Sequence, residues 1–360
     1  MGRMSVLKLS SEPWGRSPAG HDVRRFTLAS PTAEVRVMTY GGVITGVRTP
    51  DRQGVWNEIT LGHDTAAPYF DRATASFFGA LVGRYGNRIE AGRFVLDGET
   101  FTLPRNDGPN TLHGGPEGFD QHDWAAETRE DEAALSLTLT RRSPDGEQGF
   151  PGALDVSVTY RLSADGTLDL LYRARTDRPT VVNLTNHTYW NLHGGRDVLG
   201  HVLEVPAEQF VPVRADMIPA GGPARVQGTP LDFRDARPVG ARIGDDHEQL
   251  RLAGGYDHTF VLGGEPDAAG LRRAAHLREP DRGRTLEVWT SEPGVQVYSG
   301  NFLTGQPGRA GQAYTKHWGL CLETQHYPDS PNRPEFPSTR LDPGQEYRSH
   351  TRYRFGVAGD

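Results

Sequence analysis

The stretch Val181–His193 changes from a β-branched apolar run to a cluster of hydrogen-bonding side chains. Its letters are VVNLTNHTYWNLH, and His187 stands in its centre. Burying such polar groups without partners costs about 1–3 kcal/mol each in proteins, and a polar ligand would supply those partners. We therefore predict that this strand enters a cleft the size of a sugar and carries His187 as a proton-transfer group.

Glu323 is the second residue whose setting suggests chemistry. It interrupts the apolar segment 319–322, where a carboxylate needs either a partner or a function. A carboxylate is ready to act as a base at neutral pH, and an imidazole can act as the acid when a nearby negative charge favours its protonated form. Sequence separation alone leaves open whether Glu323 and His187 meet.

Further polar residues stand apart from the surrounding alternating pattern. Asn87 and Arg88 end a glycine-rich run, His113 precedes Gly-Gly, Asp257 follows Gly-Gly-Tyr, and Gln296 lies in an alternating segment. Each has an ordinary interpretation as well: a capped turn with a surface ion pair, a turn histidine, a capping carboxylate, or a solvent-facing amide. The residue types alone do not decide between these interpretations.

Two other kinds of site are compatible with the same residues. Asp257 with Glu323 could form the carboxylate pair of a glycosidase. A histidine-ligated metal site would draw on His113, His187, His193 and His326, but these lack helical ligand spacing, and we predict no metal. Trp190 could present an apolar face to a sugar ring or pack in the core.

Composition restricts the class of protein. The chain has 360 residues, a net charge of −7 and a single cysteine, Cys321. The charge argues against a nucleic-acid partner, and the lone cysteine excludes an intrachain disulfide. No apolar run approaches the length of a membrane span, and the N-terminus lacks a secretory apolar core, so we expect a cytoplasmic protein with no membrane association.

The elements that must position these residues are strands. The 44 glycines and 26 prolines indicate many short elements joined by turns, and segments such as Leu154–Leu162 alternate with period two. Asp97-Gly98 predicts a two-residue hairpin, and a short helix is expected near 66–73. We predict an all-β protein: a flexible N-terminal lead-in at 1–20, then one antiparallel sandwich domain over 21–360.

Taken together, the motifs resemble the aldose 1-epimerase, or galactose mutarotase, family. The matching runs, in the family's order, are GRYGNRIEAGRFVLDGETFTLPRNDGPNTLHGGPEGFDQHDW, VVNLTNHTYWNLHG, GGYDHTFVL, EPGVQVYSGNFL and CLETQHYPDSPN. The resemblance as a whole covers residues 26–355. The resemblance implies a large antiparallel β-supersandwich of the galactose mutarotase type. It also implies interconversion of the α and β anomers of free aldoses such as glucose and galactose.

The resemblance also implies roles for single residues. His187 is similar to the family's general acid and Glu323 to its general base, with no cofactor required. The positions that match the binding of sugar hydroxyls and the ring oxygen are Asn87, Arg88, His113, Asp257 and Gln296. Members often have alanine where Gly86 stands and asparagine after the position of His258, which leaves the preferred sugar open.

Three expectations about partners follow, and two alternatives remain. We expect a free monosaccharide as substrate, no nucleic-acid or membrane partner, and a monomer. A phosphosugar mutarotase of the same fold would need several clustered basic groups, and only Arg88 lies in a site motif. A non-catalytic sugar-binding module would not need both His187 and Glu323.

Overall fold

The chain is built almost entirely from antiparallel strands. A computed structural model describes residues 7–358. The strands of this part of the chain are β1 (Lys8–Arg16), β2 (Asp22–Ala29), β3 (Glu34–Met38), β4 (Ile44–Pro50), β5 (Trp56–Glu58), β6 (Ala80–Val82), β7 (Arg88–Ile89), β8 (Arg93–Leu96), β9 (Glu99–Thr102), β10 (Thr111–Leu112), β11 (Ala125–Glu130), β12 (Ala134–Ser143), β13 (Leu154–Ser163), β14 (Leu168–Thr176), β15 (Thr180–Val181), β16 (Thr185–His187), β17 (Tyr189–Trp190), β18 (Val202–Glu204), β19 (Gln209–Phe210), β20 (Ala224–Arg225), β21 (Arg237–Pro238), β22 (Asp257–Val261), β23 (Arg272–Arg278), β24 (Arg284–Thr290), β25 (Gly294–Tyr298), β26 (Thr304–Pro307), β27 (Ala313–Thr315), β28 (Leu320–Gln325), β29 (Arg340–Leu341) and β30 (Tyr347–Val357).

Helical structure is confined to short segments. The α-helices in residues 7–358 are α1 (Arg72–Ala75) and α2 (Glu248–Ala253). The 3₁₀ turns there are Ala67–Phe70, Glu90–Gly92, Phe119–Gln121, Glu147–Gly149, Val239–Ala241, Arg309–Gly311 and Ser330–Asn332. The helix expected near 66–73 is therefore a 3₁₀ turn followed by one α-helical turn, which Asp71 caps through its side chain. None of the described helices is both long and apolar enough to span a bilayer.

Two large sheets enclose the main core. The first runs β11-β12-β13-β14-β30-β24-β23-β18-β21, and the second runs β17-β28-β25-β22-β19-β20. One continuous apolar cluster joins Val158 and Leu286 of the first sheet to Phe260 and Val297 of the second. Alternating side chains of both sheets thus meet between them, and the predicted all-β antiparallel architecture is confirmed.

The N-terminal prediction is wrong for most of its length. Residues Lys8–Arg16 form β1, which pairs with β2 along its whole length and opens the five-stranded sheet β1-β2-β3-β4-β5. Leu9 packs against the main core, and Trp14 contacts Tyr69. The strand is ordered because its backbone hydrogen bonds and these two side chains have partners, although its sequence lacks clean alternation. Residues 1–6 lie outside the described residues, and the single-domain boundary stays a prediction.

The hairpin signal at Asp97-Gly98 is confirmed. It joins β8 to β9 with Leu96 paired to Glu99. Both turn residues have positive φ, 53° for Asp97 and 81° for Gly98, which matches the right-handed twist of the flanking strands.

The buried imidazole of His201 predicts a loss of stability in acid. Its Nε2 accepts the backbone N–H of Leu192 at 3.0 Å, and burial lowers its pKa to about 3. Below pH ~6.5 the unfolded chain binds a proton here that the folded chain excludes. His201→Gln, which keeps the acceptor, should therefore reduce the fall in unfolding free energy between pH 6.5 and 4.5 by up to about 2 kcal/mol.

Urea unfolding at the two pH values measures this difference. An identical pH dependence in the wild type and the variant would contradict the assignment of a low pKa to His201.

Candidate active site

A cavity of about 210 Å³ opens beside the ends of β16 and β28. At a water volume of about 30 Å³ it holds roughly seven waters, which is the size class of one monosaccharide. Its walls are Ser76, Phe77, Asn87, Arg88, Leu112, His113, His187, Tyr189, Asp257, Tyr298, Phe302, Leu303 and Glu323. Six of the seven predicted site residues line this cavity, and Gln296 is the exception.

Strand pairing brings His187 to Glu323. β16 pairs with β6 and places His187 opposite Ala80, while β17 pairs with β28 and places Tyr189 opposite Cys321. Since alternate side chains of a strand share a face, Cys321 and Glu323 point to the same side of β28. Nε2 of His187 lies 3.6 Å from Oε1 of Glu323, and Sγ of Cys321 lies 3.5 Å from Nδ1 of His187.

Burial acts on both members of this pair in the direction that removes charge. It raises the pKa of Glu323 well above the ordinary value, aided by the charge of Asp257 and opposed by Arg88. Burial lowers the pKa of His187 to about 4. Burial therefore favours the protonated carboxyl group of Glu323 and the neutral imidazole of His187. Oε2 of Glu323 has no hydrogen-bond partner in the described protein and suits a ligand hydroxyl.

His113 is fixed as a neutral hydrogen-bond donor. Its Nδ1 accepts the backbone N–H of Asn87 at 3.1 Å, so the proton of the neutral ring is on Nε2. Burial lowers its pKa well below the ordinary value, and the nearby His187 and Arg88 act in the same direction. The ring can therefore donate to a ligand oxygen without carrying a charge.

The four histidines considered as an alternative metal site are not all brought together in the described residues. Ligand atoms of His113, His187 and Glu323 do lie within 4.8 Å of one another, but both nitrogens of His113 are committed, one to the Asn87 N–H and one to its own proton. His326 instead binds Glu292 at 2.7 Å. His193 lies in a separate group with Glu279 and Asp281, which Arg196 also contacts.

Arg88, Asp257 and Gln296 form a second polar wall. Nε of Arg88 binds Asp107 at 2.6 Å, and burial raises the pKa of Asp257, opposed by Arg88 and by Gln296. Gln296 was expected to line the cavity, but it lies behind Asp257. Its Nε2 donates to Oδ1 of Asp257 at 2.6 Å and its Oε1 accepts from Thr259, so it orients Asp257 from behind.

Several cavity residues have a left-handed backbone that side chains with a Cβ rarely adopt. The φ values are 47° for Ser76, 60° for Phe77, 64° for Asn87 and 51° for His113. Each such conformation costs about 1–3 kcal/mol and persists where the surroundings determine it, often at functional sites. The clustering of four at one cavity supports its assignment as the site.

Some lining residues were not predicted. The family motifs contain Tyr189, Tyr298 and Phe302, but no pattern singled out Ser76 or Phe77. Trp190 is fully buried and packs against Tyr353 and Phe355, so its role is in the core and it offers no face to a ligand.

The sequence matches one protein family along most of its length. A family described as Aldose 1-epimerase matches residues 24–354. Among curated relatives, galactose mutarotase of Bos taurus is 42% identical over 357 residues, covering 98% of this chain and 100% of that protein. Aldose 1-epimerase of Escherichia coli strain K12 is 42% identical over 343 residues, covering 94% and 97%.

Solved structures share the fold. The galactose 1-epimerase of Lactobacillus acidophilus NCFM superposes with a TM-score of 0.86 at 28% identity, covering 98% of this chain and 100% of that one. The aldose epimerase homologue of C. elegans gives a TM-score of 0.83 at 30% identity, covering 92% and 98%. The expectation of a galactose mutarotase type of fold is therefore confirmed.

The hydrogen bond from Gln296 to Asp257 predicts a stability effect that depends on pH. A hydrogen bond to a buried charged group is worth about 1.5–3 kcal/mol. Gln296→Met should lower the free energy of unfolding by about 2 kcal/mol at pH 8 and by less at pH 5, because the charged form of Asp257, which this hydrogen bond favours, is more populated at the higher pH. Urea unfolding at both pH values tests this, with the exposed Gln312→Met as the matched control.

An equal loss at both pH values would mean that Gln296 contributes only packing. No loss at either would contradict its support of Asp257.

Proposed function

The chain belongs to the aldose 1-epimerase family, and we propose that His187 and Glu323 are the acid and base with which it interconverts the anomers of free aldoses. The observation that carries this proposal is the 3.6 Å separation of Nε2 and Oε1 inside a buried, sugar-sized cavity. A base and an acid at that separation can act on the two neighbouring oxygens bonded to C1.

The reaction needs one proton removed and one supplied. Glu323 takes the proton of the C1 hydroxyl while His187 protonates the ring oxygen, and the C1–O5 bond breaks to give the open aldehyde. Rotation about C1–C2 presents the other carbonyl face. The ring then closes as the O5 hydroxyl attacks C1, with each residue reversing its role, so no proton is consumed and no cofactor takes part.

Sugar binding must first shift the shared proton. Burial favours a protonated Glu323 and a neutral imidazole, which is the wrong distribution for this direction of transfer. A hydroxyl donated to the free Oε2 favours the charged carboxylate. The displaced proton has a receiver 3.6 Å away, at Nε2 of His187.

The remaining polar walls orient the substrate. His113 donates through Nε2, Asp257 accepts, and Arg88 and Asn87 supply further donors around the ring. Holding the hydroxyls keeps the aldehyde in register while C1–C2 rotates, which is the step that positioning accelerates most.

The charge of the cavity supports a neutral sugar. Two buried acidic side chains, Asp257 and Glu323, line it, and the neighbouring guanidinium of Arg88 is already paired with Asp107. A phosphosugar dianion would meet a net negative wall. The same two carboxylates keep a glycosidase as the second candidate, and release of the aryl group from an aryl glycoside would favour it.

The proposal includes an oligomeric state and a cellular location. As part of this proposal, the protein acts on free monosaccharides as a monomer. Burial raises the pKa of the Cys321 thiol well above its usual value, consistent with an unreactive cysteine in the cytoplasm.

Removing either proton-transfer group should abolish most activity. With the protein treated with chelator, the optical-rotation decay of fresh α-D-glucose or α-D-galactose should be fast. Glu323→Gln and His187→Asn should each lower kcat by about 10²–10⁴-fold while leaving the fold intact. The exposed Glu335→Gln and the half-buried His276→Asn serve as matched controls.

Decay at the buffer rate with the wild type, across a panel of aldoses, would refute the function. Near-wild-type turnover in either site variant would refute that residue's role.

The pH dependence of kcat/KM should be bell-shaped, with its two limbs displaced from the ordinary pKa values of histidine and glutamate. Activity falls in acid when the pair takes a second proton and loses its base, at about pH 4, where burial places the pKa of His187. It falls in alkali when the raised pKa of Glu323 is passed and the pair loses its last proton. Asp257→Asn should move the alkaline limb down, because the charge that helps to raise this pKa is removed.

Optical-rotation assays between pH 3.5 and 10 measure both limbs. An acid limb near pH ~6.5 would mean that the imidazole is not shifted and would contradict the neutral resting pair.

A further inference from the structure

Phe77 lies against both histidines of the cavity. The residue is half-buried between α1 and β6, and its ring is nearly parallel to that of His187, with centroids 5.7 Å apart at 22°. The same ring meets His113 edge-on at 4.8 Å and 61°. Such geometries are favourable for aromatic pairs, so the ring restricts the orientation of both imidazoles.

The ring of Phe77 is itself held in place by a fixed arginine. The guanidinium carbon of Arg72 lies 4.9 Å from its centroid. Nε and Nη2 of Arg72 bind both oxygens of Asp120, and Nη1 donates to the carbonyl of Gly115. A guanidinium held at three atoms forms a rigid support for the phenyl ring.

The backbone around Phe77 is tied to the same strands that carry His187. The Tyr189 hydroxyl donates to the carbonyl of Ser76 at 3.1 Å, and Gly79 N–H donates to the carbonyl of His187 at 3.1 Å. Both Ser76 and Phe77 adopt the left-handed conformation, which directs this turn to the cavity. The position of the ring is therefore set by the surrounding structure.

We propose that Phe77 is a positioning residue, whose ring holds the His187 imidazole in its reactive orientation and excludes water from it. The inference rests on the proposed function of His187. It fits the lowered pKa of both histidines, since burial is the main cause in each. The titratable groups next to His187 are His113, Tyr189, Tyr298, Cys321 and Glu323. Arg88 and Asp257 line the same cavity, and Arg72 lies against Phe77.

The test compares Phe77→Leu with Phe70→Leu. Phe70 lies in the same segment, but its ring packs edge-on against Tyr40 and contacts neither histidine. Phe77→Leu should lower kcat roughly 10- to 100-fold with little change in KM, because the imidazole is no longer held. It should also raise the acid limb of the pH profile by about one unit, because water reaches the ring.

Phe70→Leu should leave both kcat and the acid limb of the pH profile unchanged. Phe77→Tyr keeps the aromatic ring and should therefore show wild-type values of both. If Phe77→Leu does not fold, Phe77→Met provides the same comparison. Wild-type kcat in the folded variant, or a lower kcat with an unmoved acid limb, would overturn the proposal.

A direct measurement separates this inference from the proposed function. The pKa of His187, followed by NMR of its ring protons, should rise in Phe77→Leu whether or not the protein turns over a sugar. An unchanged imidazole pKa would overturn the positioning role alone, whereas absence of mutarotation in the wild type would overturn the function.

Discussion

The fold must hold a carboxyl group and an imidazole side by side in a place where neither is solvated. Burial disfavours the charged forms of Glu323 and His187, and neither makes a full set of hydrogen bonds with the protein. Such a pair keeps its geometry only if the surrounding strands prevent the two side chains from turning away. In the proposed mechanism this proximity lets the two groups exchange the proton that anomer interconversion requires.

The arrangement of strands meets this constraint. β28 lies inside the six-stranded sheet, with β25 on one side and β17 on the other, so Glu323 projects from a fully paired strand. His187 projects from β16, which pairs with β6 and is bounded by β17. Loops supply the rest of the cavity, and their left-handed residues are held by contacts with these strands. The sandwich thus stabilises a site that is locally unfavourable.

The family motifs made most of the site predictable from the sequence, but the details of side-chain packing could not be predicted. His187 and Glu323 stood out because polar groups interrupted apolar strands. The same reasoning could not distinguish Arg84 from Arg88 in one short motif: Arg84 is buried against the carbonyls of Pro151 and Gly152, whereas Arg88 lines the cavity. Gln296 has the register of a site residue, but its amide is used by Asp257 and Thr259.

Other features depend on contacts between distant segments. β1 lacks clean alternation and is ordered through pairing with β2, so its sequence resembled a flexible lead-in. Phe77 follows a single helical turn and reaches the histidines only because Arg72 and Asp120 fix the turn. Periodicity and motifs report the local conformational preference of a segment, and they carry no information about its contacts with distant segments.

The central claim is that His187 and Glu323 act as one proton-transfer unit. The most direct test is the double variant His187→Asn/Glu323→Gln, measured for kcat/KM beside each single variant in the same optical-rotation assay. If the residues share one proton, either loss disables the unit, so the double variant should be about as slow as the slower single variant. Losses that multiply in the double variant would show two independent contributions and would contradict the account.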